Sequence, residues 1–122
     1  MENSNSKYEN TYCTSANDKL SASTSLNYNS LFTFESDGRI KSVAKGTYCN
    51  GSNGDISFEA SGTTYTFRVN GEFNQMTSTT TSGWWQTVTT YIRQTGDTSV
   101  TIEDDSSDSY WRFYPIVVEL PQ

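Results

Sequence analysis

The stretch Tyr65-Thr-Phe-Arg-Val-Asn-Gly-Glu-Phe-Asn74 alternates in side-chain character along its whole length. Tyr65, Phe67, Val69, Gly71 and Phe73 fall on one side; Thr66, Arg68, Asn70, Glu72 and Asn74 fall on the other. A period of two suits a strand with one buried face, and no helix sorts residues in this way. One strand over residues 63–74 is therefore expected, and with it a β fold. Its second face carries a cation, an anion and two amides. Such a face is either wet outer surface or the polar lining of a barrel.

The rest of the chain reads as further strands separated by turn chemistry. Ser36-Asp-Gly38, Asn50-Gly-Ser-Asn-Gly54, Ser61-Gly62, Gly83 and Thr95-Gly-Asp97 punctuate it, each rich in residues that tolerate turn backbones. Asn17 to Asn29 is the least patterned segment, expected as a loop or one helical turn covering an opening. Ser and Thr supply 36 residues and Asn ten, which suits strands and turns rather than helices. Aromatics number 17 against 15 Ile, Leu and Val, so a few large rings are expected to fill the core. The expectation is one all-β domain over residues 8–122, after a disordered tail of residues 1–7. Its architecture is expected to be an antiparallel up-and-down β-barrel of eight or nine strands, with a β-sandwich or jelly roll as the alternative.

Charge and composition exclude several functions. A net charge of −6 with scattered Lys and Arg argues against a nucleic-acid partner. No apolar run is long enough to span a bilayer. With no histidine in the chain, Ser-His-Asp and Cys-His catalysis are ruled out. No phosphate loop or dinucleotide fingerprint is present, and no cofactor is expected. Carboxylate pairs could support glycoside hydrolysis, and Glu103-Asp-Asp-Ser-Ser-Asp108 could attract calcium. An acidic chain offers such pairs by chance, and that run also reads as a solvated hairpin tip.

Cys13 and Cys49 sit in similar contexts, Thr-Tyr-Cys-Thr and Thr-Tyr-Cys-Asn. An even count in a Ser/Thr-rich acidic chain suggests one disulfide, worth ~4 kcal/mol in the chain-entropy view. The other reading is two buried thiols. The composition leads us to expect a secreted or cell-surface protein. Met1-Glu-Asn-Ser-Asn has neither the basic start nor the apolar core of an export leader, so any leader is expected to be already gone.

Phe32-Thr-Phe-Glu-Ser-Asp-Gly38, Gly46-Thr-Tyr48, Ile56-Ser-Phe58 and Tyr65-Thr-Phe67 resemble the hairpins of bacterial lipocalin-like (calycin) domains. The similarity spans about residues 30–75. It implies an up-and-down barrel with an interior cavity for a small ligand, and it admits a cyclase or isomerase that acts by holding its ligand in shape.

Candidate ligand contacts come from the later strands. In Trp84-Trp85, neighbours on a strand face opposite ways. Trp84 shares a side with Val88 and Ile92 and is expected in the core. Trp85, with Tyr91 on its side, is expected to meet a ligand or to cap a barrel end. Arg68, Asn70 and Glu72 would fix the ligand's orientation by hydrogen bonds if their face lines a pocket. The expected function is non-catalytic binding of a small apolar or sugar-like ligand, with a carbohydrate-binding β-sandwich as the alternative. The last strand, Tyr110 to Leu120, is aromatic or apolar on both faces and is the expected surface for any homo-oligomer.

Overall fold

A computed structural model describes residues 1–84 and 86–116, and these form twelve strands. They are β1 (Glu2–Asn3), β2 (Tyr12–Thr14), β3 (Ser21–Ser23), β4 (Phe32–Phe34), β5 (Ile40–Ser42) and β6 (Tyr48–Asn50). There follow β7 (Ser57–Glu59), β8 (Thr66–Asn70), β9 (Phe73–Ser82), β10 (Gln86–Gln94), β11 (Val100–Glu103) and β12 (Tyr110–Arg112). Two short 3₁₀ turns, Ser6–Tyr8 and Tyr28–Ser30, complete the elements.

The alternating stretch is a hairpin rather than one strand. Asn70 faces Phe73 across the two-residue connection Gly71-Glu72, and Gly71 adopts φ +62°. Asn-Gly inside an alternating run supplies the positive φ that tight hairpins need. The reversal also changes the faces. Phe73 shares the side of Asn70, where its ring sits under the Arg112 guanidinium at 5.1 Å.

All ladders are antiparallel, in two sheets. The smaller runs β4-β5-β6-β7. The larger runs β11-β10-β9-β12-β1-β2-β3, with β8 also paired to β9. Strand β9 carries β8 on one edge and shares the other edge between two partners. Phe73 to Gln75 pair with β12, and Thr77 to Ser82 pair with β10. The fork this opens is filled by Trp111, which is fully buried and donates its indole N–H to the Ile92 carbonyl at 2.9 Å.

The larger sheet rolls round until its ends nearly meet. Ser21 bridges Ser99, and the Ala22 N–H donates to the Thr98 carbonyl at 3.0 Å. That seam is a single bridge rather than a ladder, so the sheet does not close into a barrel. The smaller sheet is fastened beside it by the bridges Lys19–Ser57 and Gly54–Ile102. Between them lies one core, containing Leu20, Ile40, Ile56, Met76, Ile92, Ile102 and Trp111, all fully buried. The all-β antiparallel class is as expected.

Three further expectations are corrected. Residues 1–7 do not form a disordered tail: Glu2–Asn3 is threaded between β12 and β2. Asn3 donates to the Asp108 carbonyl at 2.7 Å, and Asn5 donates to the Asp108 carboxylate at 2.6 Å. Short polar segments lack a hydrophobic signature, and this one is held by partners distant in sequence. Second, no Cys13–Cys49 disulfide forms; both are free, buried thiols. Cys13 lies on β2 of the larger sheet and Cys49 on β6 of the smaller, where both pack as small apolar side chains in the common core. Third, Trp84 is not in the core. It sits in the turn after Gly83 (φ +70°) and is 93% exposed, because β10 begins only at Gln86 and its alternation does not reach back through the turn.

Candidate functional site

One apolar groove of about 840 Å³ lies beside β4. Ser30 to Phe34 line one wall in unbroken succession, and Phe113 to Ile116 line another. Met1, Tyr12, Leu26 and Val43 complete it. Its size falls in the usual range for ligand sites. Each wall has a local cause. The 3₁₀ turn at Tyr28–Ser30 is capped by Asn27, whose side chain accepts from the Asn29 N–H at 2.9 Å, and it delivers the chain into β4. The turn Ser36-Asp37-Gly38 then sends β4 back as β5, with Gly38 at φ +94° and its N–H on the Glu35 carbonyl at 3.0 Å.

Aromatic stacking fixes the floor where the two sheets meet. Phe34 of β4 stacks on Phe113 with centroids 4.5 Å apart and planes 11° from parallel. Phe67 of β8 stands nearly perpendicular to both rings, with its centroid 5.5 Å from Phe34 and 6.5 Å from Phe113. Such pairs add about 0.5–1.5 kcal/mol each beyond burial. Leu26, Phe34, Tyr114 and Ile116 nevertheless remain exposed, which concentrates uncovered apolar surface at one place. No described lining residue has a charged side chain. The Tyr114 hydroxyl, at the rim, donates to Glu2 Oε1 at 2.6 Å.

The residues singled out from the sequence lie elsewhere. Arg68 and Asn70 are exposed on β8, on the face away from Met76. Glu72, in the hairpin turn, pairs with Arg112 at 2.7 Å. Tyr91 is half-buried on β10, opposite Thr77 and Glu103. Through Thr77 and Thr66 the register puts Tyr91 on the same face as Arg68 and Asn70, but none of these residues lines the groove. Trp85 lies outside the described residues. So does Val117 to Leu120 of the expected last strand; its described segment, β12, is flanked on both sides by β9 and β1 and offers no edge.

The acidic run serves as a fastening. Asp108 adopts φ +54° and pairs with Lys7 at 3.2 Å. Burial pushes its carboxyl pKa up, but hydrogen bonds from Asn5 and Lys7 and the Lys7 charge outweigh this and leave it below the ordinary range. Among the described residues no group of three or more Cys, Asp or Glu is placed to hold a metal ion, and no helix is long and apolar enough to cross a membrane.

Sequence reading missed Phe34, Phe113 and Val43 as site residues. The signals present were Phe32-Thr-Phe34 and Trp111-Arg-Phe113, two short aromatic alternations whose outer members meet across sheets. Leu26, within the loop expected to cover an opening, does line the groove. Against protein-family models, curated proteins and solved structures, the chain finds no match.

Proposed function

We propose that this chain is a non-catalytic binding domain whose ligand lies in the groove beside β4. One observation carries the reading: a groove of about 840 Å³ without charged side chains, floored by the stacked Phe34 and Phe113, leaves large apolar side chains exposed at one site. Contiguous apolar surface of this kind is costly to leave in water and marks interaction sites. The reading accords with the ligand binding implied by the lipocalin-like resemblance, although the space lies beside a rolled sheet rather than inside a closed barrel. Location outside the cell or at its surface is proposed on composition alone, since the free thiols no longer argue for it.

The test is displacement of an apolar dye. Nile red, which carries no charge, is expected to bind one site on the full chain and to be displaced by apolar solutes. Phe34→Asp places a carboxylate against Phe113 with no Lys or Arg in the lining, which is costly. It should weaken dye binding by roughly tenfold or more while the far-UV circular dichroism is retained. Unchanged dye affinity in that variant would remove the groove as the site.

A second reading, sugar binding, rests on Trp84. At 93% exposure its ring is open on a hairpin tip, and exposed Trp stacks well on sugar rings. Protection of Trp fluorescence from acrylamide by oligosaccharides, lost in Trp84→Ala, would favour it.

A further inference from the structure

We propose that the groove takes an extended segment of a partner polypeptide, which adds to β4 as a further strand. This inference rests on the groove being the binding site. Its particular support is the direction of the β4 backbone. The Val43 N–H donates to the Leu31 carbonyl at 3.1 Å, and the Glu35 N–H donates to the Arg39 carbonyl at 2.8 Å. In an antiparallel ladder the inward bonds recur at every second residue. Residues 31, 33 and 35 therefore bond towards β5, and the N–H and C=O groups of Phe32 and Phe34 point the other way. Strand β4 ends its sheet, so no described strand receives them.

The lining gives the same direction independently. Side chains of a strand alternate between faces, so a groove lying over one face would meet every second residue. All three residues of β4, Phe32, Thr33 and Phe34, line this one, and Ser30 and Leu31 of the preceding turn continue the wall. The groove runs along the strand's edge. Unpaired edges invite further strands, and proteins commonly guard them with charge, proline or bulges. Strand β8, also at an edge, carries Arg68; Phe32-Thr33-Phe34 carries no guard.

These features select among ligands. A fatty acid would satisfy the apolar walls, with the Met1 ammonium as a cation among the lining residues, but it would leave the edge amides without acceptors. A sugar would find few polar side chains in the lining. An extended peptide supplies alternating donors and acceptors to the edge and apolar side chains to Phe34 and Phe113, the β-augmentation mode of recognition. The occupant is thus a strand-forming segment, uncharged where it meets the groove and apolar at alternate positions.

The test uses the full chain and three probes: the capped peptide acetyl-TVTVTV-amide, the same peptide N-methylated at alternate residues, and dodecanoate. The plain peptide should shift the Phe32 and Phe34 amide resonances on titration, and N-methylation, which removes the pairing N–H groups, should weaken binding at least tenfold. Equal binding of both peptides would overturn edge pairing. Dodecanoate binding without peptide binding would overturn the peptide assignment yet leave the groove as a ligand site. Concentration-dependent self-association that the plain peptide fails to reverse would give the edge to a second copy and also overturn the proposal.

Discussion

Cys13 and Cys49 show how far a side chain's chemistry depends on where the fold puts it. Burial pushes the Cys13 thiol from its ordinary 9.0 up to about 11. Cys49 is raised further, by burial first and then by the charge Cys13 would carry. Both are neutral, inert packing groups at neutral pH. Because the folded pKa is the higher one, the unfolded chain loses its thiol protons first as pH rises. The associated stability is complete below about pH 9 and declines from there towards pH 11 for Cys13. The Tyr65 hydroxyl, raised by burial and donating to the Gly51 carbonyl at 2.8 Å, acts in the same direction. Urea midpoints measured between pH 7 and 11 should therefore fall above pH 9. Cys13→Ala should flatten that fall, and identical slopes in the two proteins would count against the thiol as a cause.

At the level of elements, turns are the most legible feature of the sequence and edges the least. Ser36-Asp-Gly38 and Asn70-Gly71 each reverse the chain with glycine at positive φ, yet they differ in what surrounds them. A side chain at Gly71 would meet nothing within 4 Å, whereas one at Gly38 would stand against the Tyr65 carbonyl oxygen, inside contact distance. Gly71→Ala should cost about 1 kcal/mol, from backbone strain alone. Gly38→Ala should cost about 2–4 kcal/mol, because the backbone holding Tyr65 cannot move aside. Chemical denaturation of the two variants compares them directly, and equal losses would mean that Gly38 is not tightly packed. The alternation around Asn70-Gly71 is plain in the sequence, but one period of two conceals two strands. The groove is less legible still. Phe34 and Phe113 lie far apart in the chain, and nothing local to either says that their rings will stack. The pattern of Phe32-Thr-Phe34 identifies a strand but not whether that strand has one neighbour or two.

For the whole molecule, the N-terminal residues matter out of proportion to their composition. Strand β1 is the only described strand joining β12 to β2. The Ser4 N–H bonds to the Tyr110 carbonyl at 2.9 Å, and the Met1 carbonyl accepts from the Cys13 N–H at 3.0 Å. Removing residues 1–5 would open the larger sheet along its middle and leave Asp108 without Asn3 and Asn5. The melting temperature should fall by roughly 10 °C or more; a deletion that melts like the full chain would show that β1 contributes little. The same pairing governs how the protein would carry load. Glu2, at the start of β1, lies opposite Arg112, at the end of β12. A force drawing these two points apart would act across the ladder rather than along it. Its hydrogen bonds would break singly, in succession, so the fold would peel open from the mouth of its own groove instead of resisting as a sheared block.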